Sequence, residues 1–243
     1  LRANRIHLDE FVVVFTQNLA RLIVHEIDGL FSSADQSLLG ISDEYARQSR
    51  QGRLDVKALQ ELIRKHLARN TGFLSIRMTD RQGEVIAGFT GTAPPPDSGV
   101  GSRDYFRAHL NNPALGLVIS EPVLGKITRQ WGVVVSRRLS DDKGGFSGVI
   151  LVHIGLNHFE SIFDGLKLGA HGSIVFRDRN LGLIIRYPRA GEGFSRLGSK
   201  PISPVFLAAL RDNPSYGTYS SDMPSADGTK RLNSYQKSGH YPF

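Results

Sequence analysis

Arg129-Gln130-Trp131 carries the residue types best suited to holding a small polar molecule. A guanidinium matches a carboxylate with two parallel hydrogen bonds, and an indole at the start of a strand can wall a pocket or donate its N–H. His153 stands inside the apolar run Val149 to Ile154. It is either a ligand contact or a core histidine satisfied by its neighbours. Together with Arg129 it would favour an anion such as a mono- or dicarboxylate. Tyr105 and Phe106 begin a short helix after a loop. Tyr105 could cover a pocket and offer its hydroxyl, or the pair could simply fill a core. Arg137 and Arg138 are neighbours on one strand and must point to opposite faces, so at most one can face a pocket. Ion pairs to Asp141 or Asp142 would explain them equally well, and Arg129 also reads as a solvated turn residue.

Other chemistries lack a complete pattern. Ser136, His153 and Asp178 can be drawn as a triad, but no nucleophile-elbow motif supports it. Gly99-Val100-Gly101 opens no phosphate loop, because Asp104 occupies the place of the last glycine. Among eight histidines, His153 and His158 are the nearest to a ligand pair, and there is no His-Glu-x-x-His helix. The absence of cysteine excludes disulfides and thiolate metal sites. No enzyme, metal or cofactor is expected. The formal charge of +7 suggests a basic surface, yet the basic residues are spread along the chain in groups of two or three, and no nucleic-acid motif accompanies them. A surface near an anionic membrane accounts for the charge as well.

The elements that must position these residues follow from hydrophobic period. Leu8, Val12, Phe15, Leu19 and Leu22, continued by Ile23, Ile27, Leu30 and Ala34, predict one amphipathic helix from about Ile6 to Tyr45. A helix of that length suits a dimer seam, a connecting rod, or one long core helix. A second helix runs over Leu54 to Arg69. Phe73 to Met78 and Glu84 to Phe89 form a hairpin about Asp80-Arg81-Gln82-Gly83. Pro94-Pro95-Pro96-Asp97 is a stiff loop, and Asp104 to Leu110 a short helix. Strands follow at Gly116 to Leu124, Gln130 to Leu139 and Phe146 to Leu156, then a helix near Asn157 to Leu166. The order then restarts, with a hairpin at Gly172 to Arg177 and Leu181 to Tyr187. Next come a helix at Ser203 to Arg211 and strands at Tyr216 to Ser221 and Arg231 to Lys237. Hairpin, helix and antiparallel strands thus occur twice, an architectural repeat.

Several stretches together resemble one family. Gly101-Ser102-Arg103-Asp104-Tyr105-Phe106-Arg107 is similar to the RDYF loop-helix of double-Cache (tandem PAS-like) sensor domains. Gly116 to Val123 resembles their G-x-x-[IV]-S-x-P-V strand, and Trp131 to Arg138 their W-x-[IV]-x-x-SRR strand. Phe146 to Ile150 resembles their F-x-G-V-[VI] strand. Gly172-Ser173-Ile174 and Arg186-Tyr187-Pro188 match the opening of their second module. These pieces keep the family's order over residues 100–190.

The resemblance implies an α+β chain, with a long N-terminal helix followed by two PAS-like modules, each a central antiparallel sheet flanked by helices. It places the two helices in residues 1–70, a membrane-distal, ligand-binding module in 71–165 and a membrane-proximal module, cut short at its C-terminus, in 166–243. It implies an extracytoplasmic sensor held between transmembrane helices, binding a small molecule and driving a histidine kinase, a cyclic-di-GMP cyclase or phosphodiesterase, or a chemoreceptor output. A homodimer through the N-terminal helix is the implied assembly. The chain starts at Leu1 and stops at Tyr241-Pro242-Phe243, inside what reads as an incoming strand, so flanking segments are expected; no run within it approaches the roughly 20 apolar residues of a membrane span. Amino-acid-binding members use an Arg-x-Trp for the ligand carboxylate, follow it with Tyr, and hold the amine with an Asp. Here Gly132 and His153 stand in those two places, which points away from amino acids and toward anions. The implied site is Tyr105, Arg129, Trp131 and His153. The alternative is a structural or dimerisation ectodomain with a filled pocket, signalled through a protein partner.

Overall fold

A computed structural model of the chain describes residues 2–88, 95–169, 171–189, 196–221 and 231–243, with side chains from residue 10 onward. Phe89 and Pro94, assigned above to a strand and a loop, lie outside the described residues, as does the side chain of Leu8.

Helix α1 spans Arg2–Arg50. Its buried stripe is Ile27, Phe31, Ala34, Leu38, Ile41 and Tyr45, stepping by four and three. The helix outlasts the predicted end at Tyr45 because Gln48 and the basic last turn, Arg47 and Arg50, still suit a helix C-terminus. It stops where Gly52 takes a left-handed backbone. Of the predicted first track, Val12 and Leu19 are half-buried, whereas Phe15 and Leu22 face outward. Helix α2, Val56–Ala68, is capped by Asp55, whose side chain accepts from the Ala58 N–H at 3.0 Å. It buries Leu59 and Ile63.

Strands β1 (Phe73–Thr79) and β2 (Val85–Ala87), helix α3 (Asp104–Asn111), and strands β3 (Val118–Ile119), β4 (Val123–Leu124), β5 (Trp131–Ser140) and β6 (Phe146–Gly155) follow. They build a six-stranded sheet in the order β2-β1-β6-β5-β3, with β4 also paired to β5. Every pairing is antiparallel. The predicted strand from Gly116 to Leu124 is interrupted at Ser120-Glu121-Pro122. Pro122 has no N–H for the ladder, and the Ser120 hydroxyl takes the Val134 N–H at 2.9 Å in place of a backbone carbonyl.

Register sorts the sheet into two faces. Ile76 and Met78 of β1, Ile150, Val152 and Ile154 of β6, and Val133, Val135 and Arg137 of β5 share one face. Arg137 reaches Asp35 of α1 on this side, with two hydrogen bonds. The hydrophobic members are almost wholly buried, each contributing about 2 kcal/mol of apolar burial. The other face carries Ser75, Arg77, Val149, Leu151, His153, Gly132, Val134, Ser136 and Arg138, and α3 covers part of it. Arg138 donates to the His109 carbonyl of α3 at 2.7 Å and lies over the Phe146 ring. Neither arginine uses Asp141 or Asp142 in an ion pair; Asp141 instead closes the β5–β6 turn by accepting from the Lys143 and Gly145 N–H groups.

Contacts divide the chain into two compact units, Leu30–His158 and Leu1–Gly29 with Phe159–Phe243, so α1 contributes residues to both. Besides its part of α1, the second unit takes most of helix α4 (Leu156–Asp164) and contains β7 (Ile174–Arg177), β8 (Leu183–Tyr187), α5 (Pro204–Asp212), β9 (Tyr216–Ser221) and β10 (Arg231–Gln236). Strands β7 and β8 pair, as do β9 and β10, in two separate ladders. Strand β8 starts at Leu183 rather than Leu181, because Leu181 has a positive φ and the Asp178 carboxylate holds the Asn180 and Gly182 N–H groups in the turn. Ser203 caps α5, accepting from the Phe206 N–H at 3.2 Å. The N-terminal part of α1 joins this unit through Thr16 to Ser234 at 2.7 Å and Gln17 to Thr218 at 3.0 Å. The whole is an α+β chain led by a long helix, as expected.

Candidate ligand-binding site

The α3 face of the six-stranded sheet concentrates buried polar groups. Strand alternation puts Ser75 and Arg77 of β1 on it, opposite His153 and Leu151 of β6. The Ser75 hydroxyl, the Arg77 Nε and the His153 Nε2 are all buried and have no hydrogen-bond partner. Three such atoms on adjacent positions of one face are unusual, since an unmet buried donor or acceptor costs on the order of 1–3 kcal/mol.

His153 is 2 % exposed. Its Nδ1 lies 3.1 Å from the Thr128 hydroxyl. A Cβ on Gly125 would fall 2.7 Å from its Cε1, and one on Gly132 would fall 2.5 Å from its Nε2. The ring therefore occupies space that a side chain at residue 125 or 132 would need. The two departures from the amino-acid-binding pattern, Gly132 and His153, are linked: the missing side chain of one makes room for the ring of the other. Burial, followed by repulsion from Arg77 and Arg103, pushes the His153 imidazole down to about 4, so it is neutral at physiological pH.

Arg77 is the residue that sequence reasoning missed. It is 8 % exposed, burial lowers its pKa, and Tyr105 is the ionisable neighbour that works against that shift. The signal was present: an arginine in phase with Ser75 and Thr79, between Ile76 and Met78, must share a face with His153 once β1 pairs with β6.

Tyr105 sits on α3 in a core cluster with Val100, Phe106, Val134, Val149 and Leu151. Burial raises its hydroxyl to about 12, against the pull of Arg103 and Arg77. Tyr105 and His153 are thus brought under the influence of the same two arginines. Farther along α3, the buried His109 meets the Ser136 hydroxyl at 3.1 Å, and burial pushes it down to about 4.

Arg129 and Trp131 lie elsewhere. Both line an open cleft of about 320 Å³ with Arg103, Pro122 and Lys126. Arg129 is exposed and takes a positive φ, and Trp131 is 47 % exposed. In register Trp131 pairs with Leu124, while Gly132 pairs with Gly155 and Val134 with His153, so the indole alternates away from the imidazole. Arg103 belongs to both places, since it lines the cleft and repels a charge on His153. It donates to the Leu124 carbonyl at 2.9 Å, and Lys126 donates to the Gly99 carbonyl at 2.7 Å. These two bonds tie the segment before α3 to the β4–β5 connection. Among the described residues no cluster of His, Asp and Glu could hold a metal, and no helix is long and apolar enough to cross a membrane.

No protein-family model and no curated protein sequence matches the chain. Solved structures do. The extracellular domain of rpHK1S-Z16, assigned as a histidine kinase, matches with a TM-score of 0.80 at 24% identity, over 98% of this chain and 92% of that one. The periplasmic sensory domain of the Campylobacter jejuni chemoreceptor Tlp1 matches with a TM-score of 0.74 at 12% identity, over 92% and 89%. The sensory domain of the Campylobacter jejuni chemoreceptor Tlp3 with isoleucine bound matches with a TM-score of 0.65 at 12% identity, over 93% and 88%. The fold is that of extracellular and periplasmic sensory domains, in agreement with the double-Cache resemblance.

Proposed function

We propose that the chain is the extracytoplasmic sensor domain of a membrane-anchored receptor, binding a small anionic metabolite of the carboxylate class on the α3 face of its six-stranded sheet. One observation carries the reading: that face holds buried polar atoms with no partner inside the protein, in a domain whose fold is shared with sensory modules. A ligand that supplies those partners stabilises the folded arrangement that binds it and shifts the receptor's equilibrium toward that arrangement. The domain itself performs no catalysis in this reading; His109 and His153 are buried and neutral, serving packing and binding.

Assembly is proposed through α1. Phe11, Val14, Phe15 and Leu22 form an outward apolar stripe, with the Phe11 and Phe15 rings stacked at 6.2 Å. A second copy of the helix would cover it. The four-residue stripe equally serves the reading in which signals arrive from a protein partner. The two are separated by titrating the purified domain with small carboxylates and amino acids while following its melting temperature. A saturable rise for one chemical class supports small-molecule sensing; no change across acids and amino acids of two to six carbons rejects it.

A further inference from the structure

We infer that Arg77 is the residue that anchors the ligand's carboxylate, and that the ligand is an acid without an α-ammonium group. The inference rests on the sensor reading above and sharpens it to a residue and a ligand class.

Arg77 is more than nine-tenths buried, its Nε has no hydrogen-bond partner, and no carboxylate among the described residues acts on it. A buried guanidinium without an anion is a costly arrangement, and proteins keep such charges paired. The missing counter-charge is therefore one that arrives from outside. A carboxylate would accept from the fork of Arg77 in the bidentate geometry that lysine cannot reproduce. Ser75, next to it in phase on β1, has a buried and unpartnered hydroxyl that can donate to the same group.

The same surroundings exclude an amine. Among the described residues the charged and ionisable groups acting on Arg77, Tyr105 and His153 are Arg77, Arg103 and Tyr105; no Asp or Glu is among them. An ammonium placed there would meet two guanidinium groups and a neutral imidazole, with nothing to balance it. Arg129, the arginine that motif spacing suggests, is exposed at the cleft and carries no unmet buried atom. The site thus moves the carboxylate clamp from the β5 entrance to the interior of β1.

Matched pairs of ligands that differ only in the amine test this: acetate with glycine, propionate with alanine, succinate with aspartate, extended to six carbons. Binding is read by titration calorimetry and by the shift in melting temperature, for the wild-type domain and for Arg77→Gln, Arg77→Lys and Arg129→Ala. The expected result is a wild-type preference of at least about 10-fold for one unaminated acid. Arg77→Gln and Arg77→Lys should weaken it by about 10- to 100-fold, while Arg129→Ala stays within a few-fold of wild type. The ligand-free melting temperature of Arg77→Gln should equal or exceed that of wild type, because the substitution removes an unpaired buried charge. Preference for the amino acid, or wild-type affinity in Arg77→Gln, overturns the inference and leaves the sensor reading standing. Silence of the wild-type domain toward every pair overturns both. Should Arg77→Gln not fold, the wild-type Arg77 Nε–H resonance decides: it must move on addition of the bound acid, and an unmoved signal refutes the anchor.

Discussion

Lowering the pH from 7.5 to 5 should destabilise the domain of Leu30–His158 through two histidines that fold neutral. His109 and His153 are 0 % and 2 % exposed, and burial holds each imidazole down to about 4. In the unfolded chain a histidine titrates near 6.5. Above that value both states are neutral and the full stability is present. As the pH falls toward 4 the unfolded chain takes up protons that the folded protein refuses, and stability is lost. At pH 5 the linkage amounts to about 2 kcal/mol per histidine. The pair together cost about 4 kcal/mol, a large share of the roughly 5–15 kcal/mol that separates folded from unfolded in an ordinary domain. His66 and His158 are lowered by burial too and add in the same direction. Urea unfolding followed by fluorescence of the sole tryptophan, Trp131, gives the free energy at each pH. His153→Gln and His109→Gln carry no titrating group, so each should shrink the difference between pH 7.5 and pH 5 by about 2 kcal/mol whatever it does to stability at pH 7.5. An unchanged pH dependence in both variants, or a folded-state His153 that titrates near 6.5 by NMR, refutes the reasoning.

Three further outcomes follow from the packing. Gly132→Ala places a methyl group 2.5 Å from the His153 Nε2 and against the Ile154 carbonyl; it should cost about 1–3 kcal/mol by urea unfolding and reduce any ligand-induced rise in melting temperature, and wild-type stability would contradict the tight fit. Asp35→Ala strands Arg137, whose side chain is 24 % exposed. A loss of about 1.5–3 kcal/mol is expected, with most of it recovered when Arg137→Met is added; an additive double variant would show that the pair does not interact. Phe11→Ser with Phe15→Ser should weaken self-association at least about 10-fold in sedimentation equilibrium without altering carboxylate binding, and an unchanged association constant would remove α1 from the interface.

Local elements were readable because their signals are local. Asp55 and Ser203 cap the helices they precede, and Asp80, Asp141 and Asp178 each close the turn they stand in. Alternation along β5 correctly separated Arg137 from Arg138. What escaped was pairing over distance. Asp35 lies 102 residues from Arg137, and no spacing announces that partnership. Alternation along β1 puts Arg77 on one face but does not say which face is covered; pairing with β6 sets Arg77 beside Leu151 and buries it. The Arg129–Trp131 pair drew notice by motif, yet its geometry is that of a cleft rim, because a positive φ at Arg129 turns the chain just before β5 begins. His153 was located by type and position, but its relation to Gly125 and Gly132 depends on which residues a folded ring touches.

The break at Ser120-Glu121-Pro122 has a consequence for solubility. A sheet border offers free amide and carbonyl groups to any passing extended chain. Here one border is a three-residue strand, β2, and the other is split into two-residue pieces, β3 and β4, by a serine that turns its hydroxyl inward and a proline with nothing to donate. The border formed by β3 and β4 therefore presents no template long enough for another molecule to add a strand.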